Sequence, residues 1–203
     1  MARLVAGLES VLAGQRKLFE MEYPCGPPDA LRWFFAASGS PWGARRVGHD
    51  VLSEIVRKVL LTYWNTASFL VLYANAGGWR PAEGVPVADR PLLDRWMLGE
   101  LHAVVRDITS ALEAFDTAAA GRRLTTFIDD LSNWYVRRSR RRFWQGDQAA
   151  LATLHECLYL VTLVMAPVTP FITERVWQDL FAATSDELPE SVHLAAWPTI
   201  DAN

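Results

Sequence analysis

Apolar residues recur at three- and four-residue steps along most of this chain, and no run alternates strictly between apolar and polar. That spacing puts them on one side of an α-helix and predicts a succession of amphipathic helices. Residues 2–20 carry Leu4, Val5, Leu8, Val11, Leu12 and Leu18 at helical spacing, weakened by Gly7 and Gly14. Pro24-Cys25-Gly26-Pro27-Pro28 then breaks the chain, and Asp29 is placed to cap a short helix, DALRWFFAAS. Gly39 and Pro41 end that helix, and SGSPWGARRVG reads as an exposed loop. Asp50 opens a long helix to about residue 76. Its apolar positions are too numerous for one stripe, so it is expected to be covered on more than one side.

After Gly77-Gly78 and a linker with Pro81, Gly84 and Pro86, a further helix is predicted from Arg90-Pro91 or Asp94 to about Ala119. Gly121 is the expected break before the next one. Gln145-Gly146-Asp147 punctuates that helix's end, and another follows over about 148–166. Pro167 and Pro170 separate it from FITERVWQDLF, with Thr169 as the expected cap. Residues 184–203 read as an extended tail with one short strand at 192–194. The predicted class is all-α: a bundle of four to five long helices with an extended C-terminal tail. The expected divisions are 1–27, an atypical N-terminal helix and break; 28–183, the bundle; and 184–203, the tail.

Composition narrows the function classes. At 203 residues, 51% hydrophobic and 21% charged, the chain can bury a sizeable core. A net charge of −3 argues against a protein that coats nucleic acid indiscriminately, so any polyanion site must be local. Cys25 and Cys157 are too few for a metal cage or a disulfide framework, and Cys157 sits in an apolar helical run. Polar residues interrupt the apolar runs before bilayer length, and Glu9, Gly14 and Lys17 interrupt any signal-peptide core. A cytoplasmic setting without membrane contact is expected.

One stretch concentrates chemistry. FIDDLSNWYVRRSRRRFW, residues 127–144, begins amphipathic and ends in Arg137, Arg138, Arg140, Arg141 and Arg142, followed by Phe143 and Trp144. At 3.6 residues per turn, Trp134, Arg137, Arg141 and Trp144 share one stripe, with Leu131, Tyr135, Arg138 and Arg142 on the next. Guanidinium forks beside aromatic faces suit phosphates and unpaired bases. The alternative is a solvated basic helix end, favoured by the macrodipole. Asn65, amid Tyr63, Trp64 and Phe69, has two readings: a hydrogen bond to a neighbouring helix, or an amide reading a base edge. Arg45-Arg46 in the loop is either solvated or a phosphate contact. The four histidines are scattered, and no phosphate loop, nucleophile elbow or metal-type histidine pair is present. Asp129 and Asp130 are adjacent, point to different sides and cannot act as a dyad.

The blocks DALRWFFAASGSPW, VRKVLLTYWNTASFLVLYAN, LDRWMLGEL, FIDDLSNWYVRRSRRRFW, APVTPFITERVWQDL and SVHLAAWP, in this order, resemble isoleucine–tRNA ligases of class I over about residues 28–200. The resemblance implies the helical anticodon-binding region of that family, docking on a tRNA anticodon stem and loop. It implies tRNA contacts at Asn65, Trp134, Arg137, Arg138, Arg141 and Arg142. The His-Ile-Gly-His and Lys-Met-Ser-Lys-Ser elements of the family are not in this sequence. No catalytic residue, metal or cofactor is therefore expected in the chain, although the family enzyme uses ATP, and by itself the chain is expected not to activate an amino acid.

Three arrangements fit these residues. The chain is a fragment or truncated reading frame of an isoleucine–tRNA ligase; or a free-standing, synthetase-derived module binding tRNA or a protein partner; or one part of a split enzyme completed by a separate catalytic chain. The expected partner is tRNA, of the isoleucine type, with a protein partner the alternative in the second arrangement and a separate catalytic chain a further partner in the third.

Overall fold

A computed structural model describes residues 27–39, 43–81, 85–185 and 187–200. The helix expected over 2–20 and Cys25 lie outside the described residues. Helix α1 is Pro27–Ala37. α2 is continuous through His49–Ile55, a π-helical turn Val56–Leu60 and Leu61–Gly77. α3 is Leu92–Glu113. α4 runs through Thr117–Asp129, a π-helical stretch Asp130–Val136 and Arg137–Trp144. α5 is Gln148–Met165, and α6 is Pro170–Val176 continued by the wide turn Trp177–Phe181. Among the described residues there is no strand, so the all-α expectation holds, with four long helices and two shorter ones.

α5 is the central element. Leu151, Leu154, Cys157, Leu158 and Met165 are fully buried, and α2, α3, α4 and α6 pack around it. It is long and apolar enough to cross a bilayer by composition, but most of its surface is covered by its neighbours. Burial pushes the Cys157 thiol well above its ordinary pKa, as expected of an unreactive core residue.

Three helices end the same way. α2 ends at Gly78 with φ 66°, where the Trp79 N–H donates to the Ala74 carbonyl. α4 ends before Gly146 with φ 70°, where the Asp147 N–H donates to the Arg142 carbonyl. α3 ends at Phe115 with φ 58°, where the Asp116 N–H donates to the Ala111 carbonyl. Left-handed residues at this place recover carbonyls that the helix leaves unpaired, and glycine is the usual occupant. Because Phe115 is not glycine, no stop was legible there.

The break therefore falls at 114–116, not at Gly121. Gly121 lies inside α4 against α1: a Cβ on it would stand 2.5 Å from the Ala37 carbonyl oxygen and 2.7 Å from Ala37 Cα. It permits close helix approach rather than ending a helix.

Asp29 also plays a different part. It sits inside α1, fully buried, and its carboxylate accepts from the Ile172 N–H at 2.8 Å and the Phe171 N–H at 3.4 Å. It thus caps α6, while the expected cap, Thr169, donates to the Met165 carbonyl instead. Burial raises the Asp29 pKa against those two amide donors. The tail is pinned to the bundle: the Trp197 Nε1–H donates to Thr109 Oγ1 at 2.9 Å, and the Trp177 Nε1–H to the Pro189 carbonyl. The expected strand at 192–194 is a 3₁₀ turn, Val192–Leu194, with Val192 buried.

Candidate nucleic-acid interface

The arginine stretch lies on α4, where the core-facing line runs Leu131, Tyr135, Ser139, Phe143, all buried. A strict four-residue step drifts around an ordinary α-helix, and the π-helical stretch Asp130–Val136 absorbs part of that drift. Phe143 fixes the helix to α2, its ring 5.1 Å from Phe69 in an edge-to-face contact. Arg137, Arg138, Arg140, Arg141 and Trp144 are left exposed. Trp134, Arg137, Arg141 and Trp144 do share the outer side, a ridge about 15 Å long at 1.5 Å per residue.

Arg142 departs from the expected set. Its Nη1 and Nη2 donate to the two oxygens of Asp94 at 2.6 and 2.7 Å, and its Nε donates to Asp147 at 2.9 Å. Asp94 on α3 is fully buried and also accepts from the Tyr135 hydroxyl at 2.9 Å. The fork of Arg142, of which a tRNA contact was expected, is thereby spent on joining α3, α4 and the start of α5. Its hydrogen bonds to Asp94 raise the Arg142 pKa above the ordinary arginine value. Burial, then the Asp94 charge, raises that of Tyr135. Asp147 would be raised by burial, but the Arg142 and Ala150 donors hold it below its ordinary value.

The other arginines of this stretch have no carboxylate partner among the described residues. Among the described residues none of Arg137, Arg138, Arg140 and Arg141 forms an ion pair. Arg138 instead lies over the Trp134 ring, its guanidinium carbon 5.2 Å from the centroid. Beside the ridge, a groove of about 570 Å³ is lined by Leu72, Tyr73, Ala76, Phe143, Trp144 and Gln145, with Trp144 80% exposed. Asn65 is exposed on α2, one turn before the Phe69 that packs on Phe143. Its amide faces solvent, so the bond expected to a neighbouring helix is not what holds it there.

Elsewhere the candidates resolve into structure. Arg45 donates to the Phe34 and Phe35 carbonyls at 2.7 and 3.1 Å, closing the end of α1, while Arg46 is exposed. His155 borders a cavity of about 550 Å³ with Leu101, Tyr159 and Phe181, and burial lowers its pKa to about 4, leaving the ring neutral near pH 7. Among the described residues no group of three or more acidic, cysteine or histidine side chains is arranged to hold a metal ion.

A family model described as the anticodon-binding domain of tRNA ligase matches residues 94–203. The chain belongs to that family. It is similar to the isoleucine–tRNA ligase of Streptomyces avermitilis, 65% identical over 174 residues, which covers 85% of this chain and 17% of the relative. The isoleucine–tRNA ligases of Cutibacterium acnes and Thermus thermophilus are 55% and 45% identical over 202 and 179 residues. Each alignment again covers 85% of this chain, and 18% and 17% of the relative respectively. The chain thus spans less than a fifth of the length of these relatives. Within the matched anticodon-binding domain lie the whole arginine ridge and its Asp94 brace, whereas Asn65 and the α2 wall of the groove precede it.

Sequence reasoning missed Trp96 as a surface residue. It sits in the periodic run of α3 and looks like core, yet it is 41% exposed and its ring lies 4.7 Å from that of Trp134. No local signal marks it. Only the pairing of α3 with α4 shows which of the run's large residues faces outward.

Proposed function

We propose that this chain recognises the anticodon stem-loop of a tRNA, of the isoleucine type, as the RNA-reading portion of isoleucyl-tRNA aminoacylation in the cytoplasm. The observation that carries this reading is the row of four exposed arginines, free of carboxylates among the described residues, on a chain whose net charge is −3. A local cationic ridge on an acidic body concentrates a polyanion at one place. Arg137, Arg138 and Arg141 hold phosphates, which position the RNA without reading it. Trp134 and the Asn65 amide meet unpaired loop nucleotides by stacking and edge contact. Amino-acid activation and ATP binding fall to parts that this sequence does not contain, supplied in the same or in a separate polypeptide.

The test is a titration of the anticodon stem-loop RNA against the parent and an Arg137→Glu/Arg141→Glu variant at several salt concentrations. Loss of two phosphate contacts is expected to weaken binding by about tenfold or more and to flatten the salt dependence by about one to two in log–log slope. Unchanged titrations at low salt would rule the reading out.

A second reading, a module that docks a protein, has an observation of its own: Leu31 and Phe35, one turn apart on α1, are exposed, as is Phe171 at the start of α6. Large apolar side chains exposed on neighbouring helices suit a protein partner. In that case Phe35→Ser would abolish complex formation and leave RNA titrations unmoved.

A further inference from the structure

Trp96 and Trp134 meet on the surface where α3 and α4 lie side by side, their ring centroids 4.7 Å apart and tilted by 58°. Both indoles stay substantially exposed, 41% and 38%, and Leu92, one turn earlier on α3, is 75% exposed. The pairing is built rather than incidental. Asp94, two residues before Trp96, is clamped by Arg142 and by Tyr135, the residue after Trp134. That buried clamp fixes the register of α3 on α4 and so holds the two rings together.

Charge on either side says what the rings can take. Toward the C-terminus of α4 come Arg137, Arg138 and Arg141, with Arg138 over the Trp134 face. One turn the other way the surface turns acidic: Glu100 on α3, Asp129 and Asp130 on α4. There Glu100 pairs with Arg123, and burial followed by the Asp129 charge raises the Asp130 pKa. A phosphate is attracted on the first side and repelled on the second. A flat neutral ring joined to phosphates fits the border between them.

Resting on the proposed RNA reading, we infer that Trp96 and Trp134 form a stacking face for one unpaired loop nucleotide whose phosphates lie on the Arg137–Arg141 ridge. Trp96 is the outer member of that face and a contact residue in its own right.

The experiment compares the stem-loop RNA with the same RNA made abasic through the loop, which keeps every phosphate. Trp96→Ala is expected to weaken binding of the intact loop about tenfold, within the range of one lost stacking contact. Its affinity for the abasic RNA and its salt slope should match those of the parent, and Trp96→Phe should restore most of the loss. Equal weakening of both RNAs, or no weakening of the intact one while Arg137→Glu/Arg141→Glu still weakens it, overturns the stacking face and leaves the RNA reading standing. If the arginine variant also binds both RNAs like the parent, the RNA reading itself fails.

Discussion

Arg141 and Arg142 are neighbours in sequence and stand about 100° apart around α4. Arg142 is folded against a carboxylate that is fully buried and donates four hydrogen bonds, two to Asp94 and two to Asp147. Arg141 stands in solvent and forms no ion pair among the described residues. The same side chain is a brace on one side and an open cation on the other, and what differs is only which way a helix pinned at Tyr135, Ser139 and Phe143 must turn it. Arg90 repeats the inner pattern: it is buried and bonded to Thr153 and Glu156. An arginine count therefore overstates the cationic face, and burial of the partner carboxylate decides which arginines to subtract.

The comparison breaks most sharply at Arg142. Arg142→Ala leaves Asp94 buried with only the Tyr135 hydroxyl in sight of it, and removing one partner of a buried pair costs about 3–5 kcal/mol. A large fall in urea midpoint or Tm is expected, whereas Arg141→Ala should stay within about 0.5 kcal/mol of the parent. Replacing both partners, as Asp94→Leu with Arg142→Met, should recover much of the loss.

Gly121 tests the inner side of α4 at its other end. Alanine gains about 1 kcal/mol over glycine in an exposed helix interior. Here its methyl would press on the Ala37 backbone, and overpacking of about 1–3 kcal/mol should win. Gly121→Ala is expected to lower the Tm, and a rise would show that α1 yields freely.

The smallest effect is on pH. The Asp147 pKa is lower folded than unfolded, so the unfolded chain takes up the proton first as pH falls. The stability this carboxylate contributes is complete above the ordinary carboxylate range and is lost as pH drops through its depressed folded value. Asp147→Asn should remove that part of the acid sensitivity in denaturation curves taken from neutral pH to about pH 3. An unaltered acid limb would mean that Arg142 is held by Asp94 alone.

Much of this was legible in the residues. Three- and four-residue spacing gave the helices, Gly78 and Gly146 gave two of their ends, and the arginine run marked the ridge. What was misread has local causes. Phe115 adopts the left-handed conformation without being glycine, so the α3–α4 turn was placed too late. Asp29 caps a helix more than a hundred residues away, because its own helix is packed beside that helix's first turn. Asn65 looked buried among aromatics, but on a helix covered on several sides the one open stripe need not be polar throughout.

Periodicity and charge, which are properties of neighbours along the chain, determined the all-α class, the order of the helices and the location of the cationic stretch. Tertiary structure decided which arginine is spent on Asp94, that Gly121 is a point of contact with α1, and that Trp96 meets Trp134 at the surface. Each of those depends on a residue in another helix. A one-dimensional pattern fixes which side of a helix is apolar, but only packing sets what that side, and the edge beside it, will touch.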